Sequence, residues 1–254
     1  MKTLVTAIQK GGQGKTCVSC HLAFDFQERG CKVVVIDFDT QANASYTLES
    51  QASGFTATQL FTDGAKAVKA HFSDYEGDGL ALIEADLQLA NLERLDYGAA
   101  AKALRASLDQ LAEYFDVCII DTAPSLGVAM TAAVLAGDFV LSPVEMEAYS
   151  IHGMKKLVQV IANLRQSNPG LQFMGMLPNK VDRRKPRHVA NLEALRDAYP
   201  DYVLPVSVGS RDSIAEALGE QRPVWAIKKT AARVAIKEMR AVAQHVFEKM
   251  EIEQ

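Results

Sequence analysis

The chain has 254 residues, 48% of them hydrophobic, which is enough to bury one sizeable core; nothing in its length demands a second domain. No apolar run approaches the ~20 residues of a membrane span, and "MKTLVTAIQ" lacks the apolar core and cleavage site of a secretion signal, so a cytoplasmic protein is expected. The net charge of −4 hides an asymmetry: residues 1–149 carry 10 Lys+Arg against 20 Asp+Glu and residues 150–254 carry 17 against 11, so the second half suits an anionic partner.

In chain order, "TLVTAI" (3–8) reads as a buried strand and "KTCVSCHLAFDFQERG" (15–30) as a helix stopped by Gly30. Cys17 and Cys20 form a C-x-x-C inside that helix. No second pair completes a metal set, and cysteine packs well as a small buried residue, so packing is the expected role. "KVVVIDFD" (32–39) is continuous in apolar residues, as a strand covered on both faces requires. Residues 49–80, rich in Gly and polar side chains, read as an irregular surface excursion. "GLALIEA" (79–85) and "FDVCIIDTA" (115–123) are further strands, with a long helical stretch over 89–115 between them.

"DFVLSPVE" (138–145) and "LQFMGMLPN" (171–179) continue the series around a helix over 150–167. A short strand near 202–206 precedes helices from Asp212 to Gly219 and from about Lys228 to Met250. This alternation predicts an α/β fold: a mainly parallel twisted sheet with helices on both faces.

The strand-to-helix junction "IQKGGQGKT" (8–16) carries the chemistry. The pattern G-x-x-x-x-G-K-[ST] is met by Gly14, Lys15 and Thr16, but Gln9 stands where its first glycine belongs and Lys10 follows. Backbone N–H groups of Gly11, Gly12, Gln13 and Gly14, with the helix N-terminus, suit phosphate oxygens. Lys15 would neutralise β- and γ-phosphate charge, and the Thr16 hydroxyl would ligate Mg²⁺. Asp121 ends the strand "VCIID" at the sheet's carboxyl edge and suits a second Mg²⁺-associated role. Asp37 and Asp39 end the second strand, with Asp39 reaching the same edge.

"KGGQGKT", "VVVIDFDTQANAS" and "FDVCIIDTAPSLG" resemble the deviant Walker A, Walker A′ and Walker B segments of the ParA/MinD P-loop ATPases. The likeness continues through "LSPVEMEAYSIHGMKKL", "GMLPNKVD" and "SIAEALGEQRPVWAIKKTAAR", and is strongest towards short plasmid-partition members. It makes Lys10 the family's signature lysine, which crosses an ATP-bound homodimer to touch the partner's phosphates. The resemblance further implies that Asp39 activates the attacking water and approaches the metal. Glu147 would organise nucleotide and dimer interface, and ATP with Mg²⁺ would be the cofactors. Cys17 replaces a hydroxyl residue usual at an α-phosphate contact, and Thr40 replaces a common proline after Asp39. A cation supplied in trans is worth about 10³–10⁵ in rate to phosphoryl transfer, so slow hydrolysis, stimulated by a ParB-type centromere-binding protein, is expected.

"NKVD" (179–182) is also the guanine-reading tetrapeptide of many GTPases. The longer loop match favours ATP, with Asn179 near the base and Asp182 beside it. Non-specific double-stranded DNA is the anionic partner that the resemblance implies. Its candidate contacts are Arg211, Lys228, Lys229 and a helical stripe of Arg233, Lys237 and Arg240, with "DRRKPRH" as a second basic cluster. A MinD-like membrane helix is not expected from "HVFEKMEIEQ", and no cysteine follows the Walker B acid as an iron–sulfur reductase requires. The first core strand opens the chain, so no N-terminal helix-turn-helix is expected. The overall expectation is a single-domain, nucleoid-associated DNA-segregation ATPase over residues 1–254, with a metabolite kinase or ligase as the enzymatic rival.

Overall fold

The computed structural model describes residues 1–75, 79–147 and 153–252. Seven strands form one sheet: β1 (Lys2–Thr6), β2 (Val33–Phe38), β3 (Ala52–Thr56), β4 (Leu80–Glu84), β5 (Val117–Thr122), β6 (Phe139–Glu145) and β7 (Gln172–Asn179). Their order is β3-β4-β2-β5-β1-β6-β7, and every pairing is parallel. The predicted sheet is thus present, with strand bounds within one or two residues of the expectation.

Side chains alternate across the sheet with period two. Val5, Val34, Ile36, Cys118 and Ile120 enter one apolar layer, while Leu4, Val33, Val35, Val117 and Ile119 enter the other. The first layer is closed by α4 (Gly64–Phe72), α5 (Tyr97–Leu111), α6 (Val128–Ala136) and α7 (Met154–Ser167). The second is closed by α1 (Lys15–Glu28), α9 (Asp212–Gly219) and α10 (Arg233–Lys249). α1 lies between sheet and α10, which explains why Val18, Cys20, Leu22, Ala23 and Phe26 are all buried. Cys17, Cys20, Cys31 and Cys118 are free thiols, and burial raises the pKa of each.

Four expectations need correction. Residues 49–80 are not an irregular excursion: they follow the short helix α2 (Asn43–Thr47) and hold the edge strand β3, the short helix α3 (Gln59–Thr62) and α4. Phe55, Leu60, Phe61, Val68 and Phe72 anchor this segment in the core. The helical stretch over 89–115 breaks at Leu95, because the Asp96 side chain accepts from Ala99 N (3.0 Å) and caps a new helix, α5. Residues 202–206 contribute only a single parallel bridge, Met176 to Val203. The last helix begins at Arg233, leaving Lys228 and Lys229 ahead of it; α8 (Pro186–Ala198), absent from the sequence reading, starts with proline in its first turn. Residues 150–152 of the helix expected before β7 lie outside the described residues.

Candidate nucleotide site

β1 delivers the chain to the phosphate loop and α1 takes it away, so the loop sits at the carboxyl edge of the sheet's centre. Gly12 (φ 76°) and Gly14 (φ 91°) occupy the left-handed region that glycine tolerates best. A Cβ on Gly14 would also overlap Asn179 Nδ2. That amide donates to the Gln13 carbonyl at 2.7 Å, and Lys180 Nζ donates to the Gly12 carbonyl at 2.5 Å. Gln13 is held from its other end: its Oε1 accepts from Glu145 N (2.8 Å) and its Nε2 donates to Glu145 Oε2 (3.2 Å). Lys180 also pairs with Glu145 at 3.0 Å. The ends of β6 and β7, with Lys180, therefore clamp the Gly12 and Gln13 carbonyls and the Gln13 side chain.

Lys15 is buried, and desolvation lowers its pKa against the opposing pull of Asp121 and Asp39. Thr16 Oγ1 donates to Asp121 Oδ2 at 2.6 Å; Thr6 and Ser19 hydroxyls donate to Asp121 Oδ1 at 3.1 Å each. Asp121 has no exposure, and burial, with Asp37 next, pushes its pKa up to about 7. A cation beside it would restore the carboxylate. Asp37 faces inward instead, accepting from Asp39 N (3.0 Å), Ser45 N (2.8 Å) and Ser45 Oγ (2.8 Å). It thereby shapes the turn that presents Asp39, whose Oδ1 accepts from Gln41 N at 2.9 Å.

Gly11 through Cys17 and Asp39 line a cavity of about 510 Å³, closed by Gln41, Asn43, Tyr46, Pro124 and Lys180. Half-buried Lys10 immediately precedes this lining. Among the described residues no cluster of three or more His, Cys, Asp or Glu forms a metal cage. Thr16 and Asp121 nevertheless fit Mg²⁺, a hard cation that keeps water and takes substrate phosphates as most of its ligands. Cys17 remains a neutral thiol, its pKa raised to about 12 by burial.

The structure reassigns other predicted residues. Asn179 spends its amide on the loop, and the adjoining cavity of about 450 Å³ is completed by Val208, Ser210, Arg211, Ile214 and Leu218. Asp182 lines neither cavity: Arg184 grips both its oxygens (2.9 and 3.1 Å) and holds its pKa down at about 2, so the guanine-reader geometry is not assembled. Glu147 stands outside the cavity walls, accepting from Arg187 and His188 at 3.0 Å each. Ser19, Glu145 and Lys180 were missed. The i,i+3 spacing of Thr16 and Ser19 was the available signal for Ser19.

Among the expected DNA contacts, Arg240 is a structural residue. Its guanidinium pairs with Asp25 and Glu28 of α1 and lies over the Trp225 ring, 3.6 Å from the centroid. Trp225 Nε1 also donates to Glu28 (2.6 Å). Arg211 pairs with Glu238 and Lys229 with Glu216, whereas Lys228, Arg233 and Lys237 are exposed. Arg183 and Lys185 of the "DRRKPRH" cluster are exposed too. No helix among the described residues is long and apolar enough to cross a membrane.

Residues 1–173 match the family model described as an AAA domain. The Escherichia coli protein IncC is 66% identical over all 254 residues, which cover 71% of that protein. An ATP complex of a McdA variant from Cyanothece superposes with a TM-score of 0.82 at 24% identity, covering 100% of this chain and 98% of that one. The septum site-determining protein MinD of Pyrococcus horikoshii, complexed with Mg-ADP, gives 0.75 at 21% identity over 99% and 98%.

Proposed function

Because the chain belongs to the AAA-domain family, in its IncC branch of ParA-type partition ATPases, we propose that it binds ATP with Mg²⁺, dimerises on it, and holds non-specific DNA until hydrolysis. The observation that carries this reading is the meeting of Lys15 and Thr16 of the phosphate loop with Asp39 in one cavity, backed by buried Asp121, which accepts from Thr16. Lys15 meets the β- and γ-phosphates, and loop N–H groups take the remaining oxygens. Thr16 and Asp121, with Asp39 nearby, would hold Mg²⁺, which when bound would supply neutralisation of the charge that develops on the phosphates. Asp39 orients water in line with the γ-phosphate. Lys10 supplies a cation to the partner subunit's phosphates, as the ParA/MinD resemblance implies.

ATP is favoured over GTP because Arg184 occupies the Asp182 carboxylate that guanine would need. The ATP-bound dimer, holding non-specific DNA, resides on the nucleoid until a ParB-type centromere-binding protein stimulates hydrolysis and releases it. Residues 1–254 act as one ATPase domain, and Glu147 contributes to the dimer through its Arg187–His188 cluster. The test is binding to an arbitrary duplex with ATP, ADP, GTP or no nucleotide, with sizing in parallel. ATP alone should give both dimer and tight DNA binding; a GTP preference, or DNA binding indifferent to nucleotide, would overturn the reading.

A further inference from the structure

Arg211 stands just before α9 and faces α10. Its Nη2 donates to Glu238 Oε1 at 2.8 Å and its Nε lies 3.4 Å from Oε2. The backbone N–H of Gly209 donates to that same Oε2 at 2.9 Å. Position 209 has little room for a larger residue, since a Cβ there would lie 2.8 Å from Arg211 Nε. A main-chain N–H and a guanidinium fork converging on two oxygens form the donor set that proteins aim at phosphate. Here an internal carboxylate fills it.

The setting fits an anion larger than a carboxylate. A polar cavity of about 460 Å³ opens beside the pair, lined also by Arg183, Ser207 and Ser210, by Arg184 with its partner Asp182, and by Asp212. The Arg211 and Glu238 side chains retain 37% and 23% exposure, so solvent and ligands reach them. Ion pairs at such exposure add little to stability, so stability alone does not account for the arrangement. One residue before Glu238, Lys237 is exposed on the same helix.

We propose that Glu238 is a built-in competitor for phosphate at the Gly209–Arg211 donor set, displaced by a phosphodiester of duplex DNA; this rests on the DNA-binding reading above. The pair is neutral until exchange, and the displaced carboxylate then repels the incoming phosphate. Each subunit on its own therefore binds weakly. Two such sites on one duplex overcome the competition, which ties DNA binding to dimerisation without a change of fold.

Glu238→Gln tests the idea, because the amide oxygen still accepts from Gly209 while the charge is lost. Glu248→Gln is the control: it removes the same charge from an exposed position on the same helix. Nucleotide binding by each variant checks folding, and Glu238→Asp, whose shorter carboxylate cannot span both partners, serves as a second variant. Affinity for two unrelated duplexes is measured across a salt series with and without ATP. Glu238→Gln should bind several-fold more tightly, with a salt slope steeper by about 0.9 per subunit and most of the gain seen without ATP. Equal gains from Glu238→Gln and Glu248→Gln would overturn the competitor role. So would no gain while Arg211→Ala weakens binding, although DNA binding itself would stand. If Arg211→Ala and Arg233→Ala/Lys237→Ala all leave affinity unchanged, the DNA-binding reading fails, and this inference with it.

Discussion

The phosphate loop and the C-terminal basic face both gather charge, and they handle it in opposite ways. At the loop, Lys15, Asp37 and Asp121 are buried, and each carboxylate is fixed by several donors. On the basic face the cations are half-exposed or exposed, and several pair with one or two acids of α1, α9 or α10. Position is irreplaceable in the first region, because an unpaired buried charge has no water to turn to. In the second, charges are screened and can change partners. One region is built to choose a ligand atom by atom, the other to hold any polyanion.

The largest expected effects separate the loop's two lysines. Lys10→Ala should retain monomeric nucleotide binding and lose the ATP dimer, with hydrolysis falling by about 10³–10⁵. Lys15→Ala should lose nucleotide binding by at least ~100-fold, the worth of one or two charge-assisted hydrogen bonds. Titration with a fluorescent nucleotide, sizing and phosphate release check both. A Lys10→Ala protein that dimerises normally would erase the distinction between the two lysines.

Next comes the clamp. Gly14→Ala forces a left-handed φ on alanine and drives its methyl into Asn179. Asn179→Ala leaves the Gln13 carbonyl short of its buried donor, an expected destabilisation of about 1–3 kcal/mol. Thermal unfolding should show both, and nucleotide affinity should fall with them. If Asn179→Ala unfolds normally and binds nucleotide normally, the clamp is not what orders the loop.

Arg240→Ala sharpens the comparison from the other side. It strips a partner from fully buried Asp25, which keeps Arg29 at 2.5 Å, so a loss of roughly 1–3 kcal/mol is expected. DNA affinity measured well below the melting temperature should hardly move. Arg233→Ala and Lys237→Ala should do the reverse: stability within about 0.5 kcal/mol of wild type, and a DNA salt slope flattened by about 0.9 for each phosphate no longer neutralised. A large melting shift in the latter pair would mean that this face is structural throughout.

Much of the fold was legible because its determinants are local. Continuous apolar runs marked the central strands, and "KGGQGKT" between strand and helix located the site. The rest depended on distant partners. Arg240 looked like one of a stripe with Arg233 and Lys237 because helical spacing is read on an isolated cylinder. Its partners Asp25 and Glu28 lie more than 200 residues earlier on α1. β3 and α4 were hidden for a related reason: Phe55, Val68 and Phe72 are sparse anchors in a polar segment, recognisable only once α5 and Phe115 supply the surface they meet. "NKVD" was ambiguous because a tetrapeptide does not say where its side chains point. Asn179 and Lys180 turn to the loop's carbonyls and Asp182 to Arg184.

The placement of β1 bears on biosynthesis. It lies between β5 and β6, whose partner residues begin at Val117 and Phe139, so an early strand waits for late ones. At ribosomal rates of about 5–20 residues per second, roughly 7–27 s separate the making of Thr6 from that of its partner Leu141. Over that interval an apolar strand is available to chaperones and to other nascent chains. Nucleotide cannot rescue the early product, since the phosphate loop gains its outer clamp only when Glu145 and Asn179 have left the ribosome.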